Sequence, residues 1–194
     1  MKIISLNCRV WTRDRDKSSS HYWRTRMGLI REFIERENPD VLCVQELSFP
    51  ANLYIPQAYR RVGFSISHHI YVRRGIVAWP LWFAIHHNGA KVDGVRIINV
   101  HGTWRKCMSK VWGRLRRRIV GKTIVIGDFN QTEDAVLKNL GRPIDTGYGV
   151  TFHNYAQGYE YKPDHCVAFG VEVKAGVFND DFKMSDHLPL IVTY

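Results

Sequence analysis

Ile124-Val125-Ile126-Gly127-Asp128-Phe129-Asn130 is the stretch on which the reading of this chain turns. Ile124 to Ile126 is a short β-branched run of the kind that forms a buried strand, and Gly127 then frees the backbone to turn. Asp128 and Asn130 lie two apart, so in extended geometry both side chains leave the strand end in the same direction. One offers a carboxylate, the other an amide that both donates and accepts. Such a pair can hold a water beside a phosphate oxygen. Taken alone it also fits an ordinary turn, so the rest of the chain has to decide.

Upstream, residues 105–120 place Cys107, Val111, Leu115 and Ile119 every four residues, with Met108 and Trp112 beside them. That spacing predicts an amphipathic helix feeding the strand. Its other positions hold Arg105, Lys106, Lys110, Arg114, Arg116, Arg117 and Arg118, either a solvated face or a phosphate-binding ridge. At the start of the chain, residues 2–9 predict a strand and 11–20 a polar loop. Residues 22–37 carry Trp23, Met27, Ile30 and Ile34 at helical spacing, and Asn38-Pro39 ends that helix before a strand over 41–44. Residues 47–61 have no clean period and read as loop. Residues 64–71 and 75–85 read as paired strands, and 95–100 as a strand ending at His101.

Downstream, residues 132–140 predict a short helix capped by Thr132, with Glu133 and Asp134 in its first turn and Gly141 as its stop. Residues 147–161 read as loop; 165–169, 171–177 and 188–194 read as strands. No repeat, low-complexity tract or linker interrupts the 194 residues, so one domain over 1–194 is expected, long enough for a sizeable core.

The composition is that of a soluble globular chain, 45% hydrophobic and 24% charged. Lys and Arg outnumber Asp and Glu by 28 to 18, a net charge of +10 that favours a polyanionic partner. Cys8, Cys43, Cys107 and Cys166 are scattered without CxxC spacing and read as reduced, structural thiols. Met1 leads straight into a strand, no apolar run reaches transmembrane length, and a cytoplasmic location without a membrane partner is expected. No feature points to an obligate protein partner. His68-His69 and His86-His87 are two adjacent pairs; neighbours on a strand face opposite ways, so at most one of each pair could share a ligand set, too few for a structural zinc.

Polar residues recur where predicted strands end: Asn7, Glu46, His101, Asp128 with Asn130, Asp164, and Asp186 with His187. In a layered fold, strand ends converge on one edge, so dispersed residues can build one site. The segments that hold them are Ile4-Ser5-Leu6-Asn7, Pro39-Asp40-Val41-Leu42-Cys43-Val44-Gln45-Glu46, Ile98-Asn99-Val100-His101, Gly127-Asp128-Phe129-Asn130, Pro163-Asp164-His165 and Ser185-Asp186-His187-Leu188-Pro189. In kind and order they resemble the endonuclease/exonuclease/phosphatase superfamily, the deoxyribonuclease I-like proteins, over nearly the whole chain.

That resemblance implies an α/β fold, a four-layer α/β sandwich of two mixed β-sheets packed face to face with helices on both outer sides. It implies hydrolysis of a phosphoester by a metal-activated water, with Mg²⁺, or Mn²⁺ in its place, held by Glu46, Asn7 and Asp186. Asp128 would orient or deprotonate the water, and Asn130 would hold a phosphate oxygen. His187 would contact the scissile phosphate, oriented by Asp164, and His101 would stabilise charge on the phosphoryl oxygens.

The excess of positive charge, and arginines interleaved with aromatics, point to nucleic acid as substrate, DNA before RNA, with Trp104, Arg105, Arg73 and Arg74 as substrate-binding candidates. The expected activity is thus a Mg²⁺-dependent DNA endonuclease or exonuclease. A phosphomonoesterase or phospholipase of the same fold would share every catalytic residue. A non-catalytic nucleic-acid-binding module is the alternative from another class, opposed by the intact acidic, amide and histidine positions.

Overall fold

The first strand is buried on both of its faces, Ile3 and Ser5 on one and Ile4 and Leu6 on the other. Such a strand needs a covering layer on each side. A computed structural model describes residues 1–10, 22–103, 108–147, 149–154, 157–179 and 182–194, and two packed sheets with their helices provide those layers.

β1 (Lys2–Asn7) leads through α1 (Trp23–Glu37) to β2 (Val41–Gln45), which runs parallel to β1. β3 (Tyr59–Phe64) and β4 (His69–Arg73) pair antiparallel. β5 (Ala78–Phe83), β6 (His87–Val92) and β7 (Val95–His101) form a meander. α2 (Met108–Arg118) then carries the chain to β8 (Thr123–Asp128), parallel to β7. After α3 (Glu133–Asn139) come β9 (Phe152–Asn154) and β10 (Tyr159–Tyr161), an antiparallel pair, followed by β11 (Asp164–Phe169), β12 (Lys174–Val177) and β13 (Leu190–Thr193). One sheet has the order β12-β13-β1-β2-β4-β3 and the other β11-β8-β7-β6-β5, each mixed, with one parallel pair joined by a helix.

The period of two sorts the strand residues between cores. Ile3, Val41, Cys43 and Ile70 meet Ala90, Ile97, Ile124, Ile126 and Cys166 of the other sheet in one apolar cluster. Their chain neighbours Ile4, Leu6, Leu42 and Val44 pack with Met27, Ile30, Phe33 and Ile34 of α1. Ile98, Val100 and Val125 pack with Met108, Val111, Trp112 and Leu115 of α2. Full burial of each such side chain contributes about 1.5–3 kcal/mol, so these clusters hold the strand ends in register. Where the apolar layer between the sheets gives out, Gln45 Nε2 donates to Asn99 Oδ1 at 2.6 Å and ties β2 to β7 across the two sheets.

Helix ends follow their local chemistry. Asn38 takes the left-handed conformation, φ 43°, and donates its N–H to Ile34 O before Pro39 forbids continuation. Thr132 caps α3 by accepting from the Ala135 N–H.

Three expectations are corrected. Residues 64–71 are neither one strand nor paired with 75–85: β3 ends at Phe64, β4 begins at His69, and β5 lies in the other sheet, paired with β6. β6 was not expected, since His87-Asn88-Gly89-Ala90-Lys91 lacks β-branched residues, yet it is buried at four of these five positions and paired on both sides. Residues 147–161, read as loop, hold the β9–β10 pair. Of the helix expected over 105–120, Met108–Arg118 is α2, and residues 104–107 lie outside the described residues.

Candidate active site

Parallel strands end on the same edge of their sheet. β1 and β2 end at Asn7 and Gln45, which are register partners, and β7 and β8 end at His101 and Asp128, also partners. β11 runs antiparallel to β8 and begins at that edge, with Asp164 opposite Asp128. His187, just before β13, forms an isolated bridge with Phe152. Residues as far apart in the sequence as Asn7 and His187 thereby reach one cleft region.

The backbone departs from strand geometry at this edge. Arg9, Glu46 and Asn130 all have positive φ, 48°, 51° and 51°. Side chains with a Cβ adopt that conformation only at a cost of about 1–3 kcal/mol, and such strain gathers at functional sites. Asn7 Oδ1 accepts the Arg9 N–H at 2.9 Å, and Asp128 Oδ1 accepts the Asn130 N–H at 2.8 Å, which holds two of the three turns. Gly102 has no room for a side chain: a Cβ there would lie 1.9 Å from Phe129 O. Its N–H donates to Asp128 O at 2.7 Å, drawing the β7 exit against the β8 exit.

A cleft of about 370 Å³ is lined by Arg9, Glu46, His101, Gly102, Thr103, Asp128, Asn130, Phe152, Asp186 and His187. Asn7 Nδ2 lies between two carboxylates, 3.1 Å from Glu46 Oε1 and 3.0 Å from Asp128 Oδ2. Asn130 Nδ2 donates to the same Asp128 oxygen at 3.1 Å. On the far side, His187 Nε2 lies 3.9 Å from Asp128 Oδ2, and its Nδ1 is 2.9 Å from Asp164 Oδ2. Thr151 Oγ1 donates to that Asp164 oxygen at 2.8 Å. His101 Nε2 stands 3.6 Å from Glu46 Oε1, and Arg9 Nε 3.1 Å from Asp186 Oδ2. Ser185 Oγ donates to Asn7 O at 2.6 Å, which fixes the Asp186-His187 segment to β1.

The charges follow from these contacts. Burial disfavours the imidazolium of His187, but Asp164, Asp128 and Asp186 outweigh it and push the group up to about 10, so it is charged at neutral pH. Burial pushes the Asp128 carboxyl up to about 6, while His187, His101 and Asn7 oppose the rise. For Glu46 the burial penalty is overcome by His101 and the Asn7 amide, and its carboxyl is lowered. His101 is likewise raised against its own burial by Glu46 and Asp128. Asp186 is raised by burial and by the charge of Glu46, with His187 and Arg9 pulling it back.

Two donor sets could hold a cation. Asp128, Asp164 and His187 offer ligand atoms within 4.8 Å of one another. Asp164 Oδ2 is already engaged by Thr151 and His187, and His187 carries a proton on the nitrogen facing it. Glu46 and Asp186 line the cleft with hard oxygens whose mutual repulsion a divalent cation relieves, which fits an oxygen-preferring ion better.

The structure brings Asn7, Glu46, His101, Asp128, Asn130, Asp164, Asp186 and His187 together. It does not bring Arg73 or Arg74 to them. β4 runs antiparallel to β2, with Val72 opposite Val41, so Arg73 stands at the edge where β2 begins. There it pairs with Asp40, while Arg74 Nε donates to Gln57 O. Trp104 and Arg105 lie outside the described residues. Sequence reasoning missed Arg9, Thr151, Phe152 and Ser185 as parts of the site. Arg9 was the most readable of them, two residues past Asn7; the others depend on the path of the chain between β8 and β13.

The fold is shared widely. An endonuclease/exonuclease/phosphatase from Bacteroides vulgatus superposes with TM-score 0.76 over 98% of this chain and 97% of its own, at 16% identity. The endonuclease domain of TRAS1, a telomere-specific non-LTR retrotransposon, does so with TM-score 0.73 over 98% and 96%, at 12% identity. D. rerio TDP2 complexed with single strand DNA product gives 0.70 over 100% and 99%, at 14% identity. No curated protein sequence matches the chain. The model of the Endonuclease/Exonuclease/phosphatase family matches residues 6–187, the span from the end of β1 to His187 that holds every residue of the cleft. The chain belongs to that family.

Proposed function

We propose that this protein is a Mg²⁺-dependent phosphodiesterase that hydrolyses nucleic acid, with DNA as its substrate. One observation carries the reading: His187 stands between Asp164 and Asp128, in the same cleft as Glu46 and Asp186. Hydrolysis of a phosphodiester needs a deprotonated water, positive charge beside the phosphoryl oxygens, and groups that hold the phosphate.

Asp128 takes the proton of the attacking water. Its carboxyl, pushed up to about 6, is basic enough to accept a proton near neutral pH and is held by Asn7 and Asn130. As the water oxygen bonds to phosphorus, its proton passes to Asp128 and the bond to the leaving oxygen breaks, that oxygen keeping the bonding electrons and taking a proton from solvent. His187 and His101 present positive charge to the phosphoryl oxygens, and Asn130 holds one of them. Asp164 keeps the proton on His187 Nδ1 and its ring in place; Thr151 and Ser185 position Asp164 and the Asp186-His187 segment. Glu46, Asp186 and Asn7 are the residues that would hold Mg²⁺, which supplies Lewis-acid stabilisation of the developing charge.

DNA is favoured by the net charge of +10 and by the company the fold keeps, the endonuclease domain of TRAS1 and D. rerio TDP2 complexed with single strand DNA product. The test compares hydrolysis of a phosphodiester, thymidine 5′-p-nitrophenyl phosphate, with the monoester p-nitrophenyl phosphate, in Mg²⁺ and in EDTA. Mg²⁺-dependent cleavage of the diester alone is expected. Turnover of the monoester alone would move the protein to phosphatase chemistry.

A further inference from the structure

The basic face of α2 is not uniform. Arg114, Arg117 and Arg118 fall at i, i+3 and i+4 and line a cavity of about 480 Å³ with Trp82, Ala84 and His87. Arg116, on the same helix, turns away and donates to Asn139 O. None of the three cavity arginines has a carboxylate partner among the described residues. A merely solvated face would leave the strand side of such a cavity apolar or satisfied. Here His87 is 2% exposed with no partner on its Nδ1, and the Trp82 indole N–H is buried and unpaired.

The pocket is built by the strands beneath it. The β5–β6 register slips between Pro80 and Trp82, so Trp82 comes opposite Gly89. A Cβ on Gly89 would lie 2.6 Å from the indole, so the ring lies directly on that glycine. The Arg118 guanidinium stacks over the ring at 4.8 Å. His87 pairs with Val100, one residue before His101, and His86 accepts the His101 N–H at 2.9 Å. The pocket therefore begins one register step from the cleft, on the α2 side of the same sheet.

We propose that this pocket is a second phosphate-binding site, which takes a backbone phosphate of the nucleic-acid strand away from the scissile bond; the strand as ligand rests on the nuclease reading. Guanidinium groups match phosphate oxygens bidentately. The imidazole of His87 is pushed down to about 4 by burial, with Arg118 and Arg114 adding to the fall. It is therefore neutral, adding a hydrogen bond rather than a fourth charge.

The test uses binding of a fluorescein-labelled single-stranded DNA oligonucleotide in EDTA, read by anisotropy across a salt series. Arg114→Ala/Arg118→Ala is expected to weaken binding about tenfold and to reduce the slope of log K against log salt by about 1. Arg31→Ala/Arg116→Ala carries the same change in net charge outside the pocket and is expected to change binding less than twofold. Hydrolysis of thymidine 5′-p-nitrophenyl phosphate, too small to span both sites, stays at the wild-type rate in both. Equal binding by the pocket variant and wild type, or equal weakening in both variants, overturns the proposal. If wild type cleaves no DNA while only the pocket variant loses binding, the pocket stands and the nuclease reading falls.

Discussion

His187 Nδ1 lies 2.9 Å from Asp164 Oδ2, and this contact sets which nitrogen of the ring faces the cleft. With Nδ1 bound to Asp164, Nε2 is left toward Asp128 and the substrate, and the carboxylate beneath favours the charged ring. Asp164 is itself buried and engaged by Thr151, so it cannot turn away.

Asp164→Asn keeps the shape and removes the charge. We expect kcat to fall by roughly 10²–10⁴ with little change in KM. The basic limb of the pH–rate profile should move toward neutrality, because His187 loses the first of the carboxylates that raise it. A basic limb in the wild-type position with undiminished kcat would remove His187 from the chemistry.

Gly102→Ala tests the contact between the two strand exits. Its Cβ would sit 1.9 Å from Phe129 O, and backbone must shift to admit it. A loss of more than about 2 kcal/mol in stability is expected, together with loss of activity. Gly113→Ala, whose Cβ meets nothing within 4 Å, is the control expected to leave both intact. A Gly102→Ala protein as stable as wild type would contradict the packing described.

Acid weakens this fold for a reason located in its histidines. Burial pushes His68 down to about 3 and His69 and His87 to about 4, and His165 is lowered in the same way. The unfolded chain protonates these groups near pH 6.5, the native chain only at lower pH. Stability is therefore lost as pH falls through that window. Asp128 and Asp186 are raised and act in the opposite sense, while His187 is protonated in both states there. Urea unfolding at about pH 7.5 and about pH 5 should show the drop; equal stability would contradict it.

Much of the fold was readable in the apolar runs. Residues 2–9, 41–44, 95–100 and 124–126 announce strands because they are buried on both faces, and Trp23 to Ile34 announces a helix by its period. β6 was illegible because its stability comes from two flanking strands rather than from its own residues: Asn88 is buried by donating to His68 O, and Gly89 by carrying Trp82. The cleft residues were legible as polar endings of apolar strands. Arg73 was misread because charge next to aromatics says nothing about which end of a strand it occupies. Arg73→Ala and Arg74→Ala should leave DNA turnover within about twofold of wild type, since Arg73 pairs with Asp40 and Arg74 donates to Gln57 O at the edge away from the cleft. A tenfold loss would put them back in the site.

The most direct test of the account is incubation with supercoiled plasmid in Mg²⁺, in EDTA, and with the Asp128→Asn protein in Mg²⁺, after circular dichroism has shown that the variant folds. Nicking by wild type in Mg²⁺ and none in the other two is expected. Nicking by Asp128→Asn at the wild-type rate, or by wild type in EDTA, would contradict it.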